Sequence, residues 1–232
     1  MERHAEPAAG GFLTLGSGES ASLRRAAAPL TLPERAHLDL RFRSAPWRRV
    51  VEAFEPDGRL VDFGCGPGLL AHLLVRAGFA GTYLGLDPDS RKVDRARRWL
   101  AESPARLFSA ATVDAATPGA FSQAALIDVL YLVPPPERPG FLARAARALT
   151  PGGLFVALTS GGGPRWKRRL DTAQERVAVG LGITRGGGVA TCDGAEVARL
   201  LATAGLTGAA VVDVGRGFLH GFELVSARQP PA

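Results

Sequence analysis

Between residues 58 and 160, short continuous apolar runs alternate with segments of helical periodicity, and this alternation limits the architecture more than any other feature. Arg59–Phe63 reads as a buried strand, Leu69–Gly78 as a helix closed by glycine, and Thr82–Leu86 as a second strand. A helix over Ser90–Ala101 stops before Pro104, and Leu107–Ala110 reads as a short third strand. Ala124–Leu132 is a fourth, apolar on both faces apart from Asp128. Arg138–Leu149 is an Ala/Leu/Arg helix, and Pro151-Gly152-Gly153 turns into the strand Leu154–Thr159. A helix at Gly194–Ala204 precedes two final runs, Ala209–Val214 and Phe218–Ala227, which lie a short turn apart and should pair antiparallel. Apolar strands separated by helices require a parallel sheet covered on both faces. The prediction is an α/β, doubly wound, mostly parallel seven-stranded sheet with a final antiparallel strand.

The first part of the chain is different. Residues 1–22 are polar, small and glycine-dotted, and are expected to be a mobile tail. Residues 23–57 read as a helical cap: Thr31 and Pro33 begin one helix, Ser44-Ala45-Pro46 restarts the pattern, and Trp47, Val50, Val51 and Phe54 fall at helical spacing. The remaining residues, 58–232, read as one domain, interrupted by a helical insertion at about 164–182.

Composition excludes some classes. No apolar run approaches the ~20 residues that span a bilayer, and the N-terminus lacks the basic-then-apolar order of a signal peptide. Two cysteines, Cys65 and Cys192, make no disulfide framework, so a reducing cytoplasm is the expected compartment. The formal net charge of +6 comes almost wholly from arginine, Lys92 and Lys167 being the only lysines, in a chain rich in alanine and glycine throughout. Such a balance reflects compositional bias more readily than a dedicated nucleic-acid surface.

The first strand ends in Asp62, and glycine then occupies positions 64, 66 and 68 in DFGCGPG. Glycines permit positive φ and remove Cβ atoms that would hold a ligand off the backbone. A dinucleotide fingerprint needs a further glycine where this chain has Leu69, and an acid at Asp62 would repel a pyrophosphate.

Asp62 followed by G-x-G-x-G resembles the first motif of class I S-adenosylmethionine-dependent methyltransferases. In that family the loop, here Gly64-Cys65-Gly66-Pro67-Gly68, wraps the amino-acid part of the cofactor, and the acid organises its ammonium. The resemblance extends to Asp87 with Pro88, nineteen residues after Gly68, where a carboxylate can accept both ribose hydroxyls. It extends also to Asp114 with Ala115, at the position that receives the adenine amino group. The fourth strand and the Pro-Gly-Gly turn match later motifs, so the resemblance covers about residues 58–160. Each residue has a plainer reading: Asp87 as a helix cap, Asp114 as a turn residue, Asp128 as either a cofactor-site or a hydrogen-bonded strand-end residue. The resemblance implies S-adenosylmethionine as cofactor, S-adenosylhomocysteine as product, and no metal.

The acceptor is less legible. Relatives that methylate amino or nucleobase nitrogen usually carry Asn/Asp-Pro-Pro-Tyr/Phe after the fourth strand. This chain has Asp128-Val129-Leu130-Tyr131, its prolines 134–136 come later, and it has no appended RNA-binding module. The expectation is a small-molecule acceptor, methylated at a phenolic or carboxyl oxygen, with no nucleic-acid partner. A phenol, with a pKa near 10, would gain from a general base, whereas a carboxylate needs only a clamp such as arginine. Tyr131, His37 and His220 are the catalytic candidates; His72 sits inside a helix, and Arg41 and Arg43 could bind a carboxylate. RNA or protein methylation, and a non-catalytic cofactor-binding protein of the same fold, are the rival readings.

In the insertion, Trp166, Leu170, Ala173, Val177 and Leu181 form one apolar stripe, and Arg165, Lys167, Arg168 and Arg169 crowd its start. This suits a surface helix, a lid over the acceptor pocket, or a docking surface for an acyl carrier protein or anionic lipid headgroups. The run beginning Pro164-Arg165-Trp166-Lys167 and the tail near His220 are similar to methyltransferases of bacterial aryl-polyene and related polyketide pigment pathways. That similarity implies O-methylation of a hydrophobic secondary metabolite, which could be carrier-bound.

Overall fold

The computed structural model describes residues 13–16, 18–101, 106–160, 191–218 and 221–232. The predicted insertion at 164–182 and His220 lie outside them.

Seven strands form one sheet: β1 (Arg59–Phe63), β2 (Thr82–Asp87), β3 (Arg106–Ala110), β4 (Phe121–Ile127), β5 (Leu149–Ser160), β6 (Thr207–Asp213) and β7 (Phe222–Arg228). Their order is β3-β2-β1-β4-β5-β7-β6. Pairing is parallel from β3 through β5, and β7 runs antiparallel to both β5 and β6. This is the α/β sheet read from the sequence, with β1 at the centre where the chain reverses its direction of winding.

The helices are α1 (Glu19–Ala26), α2 (Leu32–Ser44), α3 (Trp47–Glu52), α4 (Leu69–Arg76), α5 (Ser90–Trp99), α6 (Arg138–Arg147) and α7 (Gly194–Thr203). Residues from α1 to α5 bury their apolar stripes with Leu60 on one face of the sheet; α6 and α7 cover Val61 and Phe63 on the other. Period-two alternation along β1 therefore sends Asp62 to the same face as Leu60, beneath the N-terminal helices.

Three expectations need correction. Residues 13–16 and 18–22 do not belong to a mobile tail: Leu13 and Leu15 are buried in the core, and Glu19, itself buried, opens α1. The fourth strand stops at Ile127 instead of reaching Leu132, because Asp128 takes φ +56 and Leu130–Leu132 coil into a 3-10 turn. Strand β5 begins five residues early, at Leu149; Pro151–Gly153 bulge out between two paired stretches, Phe121 facing Leu149 and Gln123 facing Leu154.

Candidate active site

Strands β1, β2, β4 and β6 all run the same way, so their carboxyl ends meet at one edge of the sheet, where ligands bind in this architecture. Gly64 leaves β1 at φ +78 and turns the chain over β2, its N–H and that of Cys65 both donating to the Leu86 carbonyl, at 2.7 and 3.0 Å. A Cβ on Gly64 would lie 2.5 Å from Val129 Cγ2, so the turn tolerates no side chain. At Gly66, φ +54, a Cβ would meet only open space. One glycine is needed for packing and the other leaves the cavity open to a ligand.

Asp87 pins this turn. Its Oδ2 accepts the Gly66 N–H at 3.0 Å, its Oδ1 accepts the Asp89 N–H at 2.9 Å, and Lys92 Nζ lies 4.0 Å away. The capping of α5 falls instead to Asp89, whose carboxylate accepts the Arg91 N–H.

Asp62 lies 2% exposed on β1. The register pairs it with Gly85, which brings Tyr83, two residues back on β2, to the same face. The Tyr83 hydroxyl donates to Asp62 Oδ2, while Asp62 Oδ1 is buried with no hydrogen-bond partner among the described residues. Burial pushes the carboxyl pKa up to about 7; the Tyr83 hydrogen bond opposes the shift and the Asp87 charge adds to it. A cleft of about 50 Å³ beside it is walled by Leu38, Arg41, Trp47, Gly64 and Leu70. An unsatisfied carboxylate oxygen beside a small cleft suits a cationic group such as an ammonium.

Gly64, Gly66, Pro67, Arg41 and Ile127 are shared with a larger cavity of about 520 Å³. Its walls include His37, Asp87, Pro88, Asp114, Asp128 and Tyr131. His37 and Arg41 share one face of α2 by their i,i+4 spacing. Arg41 Nη1 is 2.7 Å from Asp128 Oδ2, so the cap is tied to the end of β4. Asp128 holds its left-handed φ with its own N–H donated to the Leu158 carbonyl at 2.9 Å. The His37 pKa is lowered from its ordinary value, first by burial and then by the positive charges of Arg41, Arg95 and Lys92.

The structure thus gathers Asp62, Gly64, Cys65, Gly66, Asp87, Pro88, Asp114, Asp128, His37 and Tyr131 around two adjoining spaces. It does not bring Gly68 or Ala115 into either lining. Gly68 packs against Leu100, Ala96 and Phe108 at the start of α4, and Ala115 is exposed. Cys65 turns its Sγ toward Gly85, and burial pushes its thiol far above the usual range, which removes it as a nucleophile. His72 packs on Trp99 with ring centroids 5.1 Å apart and the planes tilted by 36°. Arg144 was missed: its Nε lies 3.0 Å from Asp114 Oδ1, a pairing between the 3-10 turn after β3 and α6 for which no local pattern exists. Tyr83 was missed for the same reason.

A seven-stranded sheet with this strand order, a glycine turn after β1 and an unsatisfied acid beneath it define the class I methyltransferase architecture. A family described as a methyltransferase domain matches residues 37–211, and the chain belongs to that family. The match spans the glycine turn and the strands around it, so this part of the chain is a methyltransferase domain.

Among curated relatives, a ubiquinone biosynthesis O-methyltransferase of Xanthomonas campestris is 35% identical over 107 residues, 44% of this chain and 43% of that protein. One from Methylobacterium nodulans is 33% identical over 103 residues, 43% of this chain and 40% of the relative. The matched stretches thus cover about two fifths of these relatives' length. Among solved structures, a 1,6-didemethyltoxoflavin-N1-methyltransferase of Burkholderia thailandensis, holding 1,6-didemethyltoxoflavin and S-adenosylhomocysteine, superposes with TM-score 0.61 at 17% identity. The likeness covers 93% of this chain and 92% of that one, and it speaks for the fold. Among the described residues, no helix is long and apolar enough to cross a membrane.

Proposed function

We propose that this methyltransferase transfers the methyl group to an oxygen of a small organic acceptor, phenolic or carboxylic, bound beneath the α2–α3 cap. S-adenosylmethionine supplies a methyl group already activated on a sulfonium, so the protein's work is alignment and exclusion of water. In this reading Asp62 Oδ1 receives the cofactor ammonium, and the backbone at Gly64 and Gly66 lies against its amino-acid part. Asp87 has a lone pair left on each oxygen for the ribose hydroxyls, and Asp114 with Arg144 edges the adenine. The observation that carries the cofactor placement is the orphaned, buried Asp62 Oδ1 beside the glycine turn.

For a phenolic acceptor, His37 is the base. Burial and three neighbouring cations keep it neutral at ordinary pH, with a lone pair ready to take a phenolic proton. Tyr131 walls the same cavity and Arg41 offers a carboxylate clamp. The cytoplasm is the compartment in which we place the reaction, and secondary metabolism its setting.

The test is a transfer assay with purified protein, S-adenosylmethionine and panels of phenols, carboxylic acids, RNA and peptide, reading S-adenosylhomocysteine release. Turnover on phenols or carboxylates is the expected result; turnover on RNA or peptide alone would overturn it. His37→Gln should lower kcat on a phenol about 10²-fold, with S-adenosylhomocysteine affinity unchanged. An equal loss on a carboxylate acceptor, or none on a phenol, would remove His37 as base.

A further inference from the structure

A second cavity, of about 880 Å³, opens on the same edge of the sheet beyond β6. Its floor is apolar: Leu15, Phe42, Ala45, Trp47, Val214 and Phe218. Trp47 also walls the cleft beside Asp62, so one buried indole stands between the two spaces. That ring is fixed by its Nε1–H, which donates to the Arg41 carbonyl at 2.8 Å.

The charged groups around this cavity are unequally paired. Glu19 is held by Arg76 at 3.3 Å, and Arg49 by Glu52 at 3.1 Å. Asp213 Oδ1 accepts the Gly215 N–H at 2.8 Å. The guanidinium groups of Arg48 and Arg216 are exposed and have no ion-pair partner among the described residues. Two arginines with free forks over an aromatic and aliphatic floor match a molecule with an apolar body and an anionic group. An uncharged ligand would leave that cationic rim unused.

We propose that this cavity is a second binding site, for an organic anion with a flat or aliphatic apolar body, and that Arg48 and Arg216 determine its charge specificity. The apolar body lies on Phe42 and Phe218, and the anionic group lies between the two guanidiniums. The site is separate from the cavity beside His37 and Tyr131, with which it shares no lining residue.

The test is equilibrium binding, followed by Trp fluorescence and calorimetry, to full-chain protein saturated with S-adenosylhomocysteine. The probes are a panel of hydroxycinnamates, hydroxybenzoates and medium-chain fatty acids, each paired with its uncharged amide. Carboxylates should bind and their amides should bind at least tenfold more weakly. The Arg48→Gln/Arg216→Gln variant should lose roughly 10- to 100-fold of the carboxylate affinity, the range for charge-assisted hydrogen bonds, and none of the amide affinity. S-adenosylhomocysteine affinity and thermal midpoint should stay as in the parent, which separates loss of the rim from loss of the fold. Equal binding of acids and amides, an unaffected variant, or no carboxylate binding anywhere in the panel overturns the proposal. If S-adenosylhomocysteine itself fails to bind, the cofactor placement has failed instead.

Discussion

At the scale of single residues, Asp62 carries the sharpest consequence. Its carboxyl titrates near 7 in the folded chain and near 4 in the unfolded one, so between those values the native state binds the extra proton. Stability from this group is complete at acid pH and is lost as pH rises toward about 7; the ligand-free protein should soften over that interval. An arriving ammonium favours the ionised form, so S-adenosylhomocysteine affinity should rise with pH through about 7. Asp62→Asn should flatten both profiles and weaken the ligand by roughly 10- to 100-fold, measured by calorimetric titration and by urea unfolding at several pH values. A variant with parental pH profiles would take Asp62 out of the site. The place of Asp62 on a buried strand just before the glycine turn was legible from residues 60–68. Its hydrogen bond from Tyr83 was not, because that contact exists only once β1 and β2 adopt their register.

At the scale of elements, α2 is fastened by charge more than by burial. Leu38 is its one buried residue, and Leu32 and Leu40 stand 78% and 65% exposed. Glu34 holds the helix from beneath, accepting from Thr31 in the first turn and bridging Arg95 and Arg98 of α5 at 2.8 Å each. These bonds lower the Glu34 pKa to about 2, led by the Thr31 backbone bond and then Arg95. A depressed carboxylate contributes stability above its unfolded pKa of about 4.5, and that contribution fades as pH falls toward 2. Partly exposed pairs are screened by salt, so the cap should loosen as ionic strength rises. Glu34→Gln should speed amide exchange across residues 32–44 while β1 and β4 keep their protection. Faster exchange throughout the sheet would mean a general loss of stability instead. The cap helices were readable from Thr31, Pro33 and the Trp47–Phe54 spacing, but the ties at Glu34 and Arg41 were not. Each joins residues far apart in the chain, and arginines are too frequent here for any one to stand out.

At the scale of the whole molecule, ligand binding and folding should be linked, because the proposed cofactor site draws on residues of β1, β2 and α2 and on the turns after β3 and β4. A ligand at a hundredfold its Kd adds about 2.7 kcal/mol to the native state. For a chain of this size, S-adenosylhomocysteine should raise the thermal midpoint by roughly 5–10 °C while NAD leaves it in place. A shift with NAD and none with the adenosyl ligand would contradict the cofactor assignment. The order of strands and helices was legible because each buried strand is a continuous apolar run between turn residues. Three departures share one cause, local backbone geometry answering to distant partners. Asp128 breaks β4 where it meets Arg41, Pro151–Gly153 bulge where β5 pairs past β4, and Leu13 and Leu15 find a core that composition alone could not announce.

The position of β7 has a consequence for how the chain is made. It lies between β5 and β6, yet it is synthesised after both. A ribosome adding about 5–20 residues per second leaves β6 without its hydrogen-bonding neighbour until residues 222–228 emerge. Through that interval the half of the sheet beside the second cavity stays open, and its last-made strand decides when the edge closes.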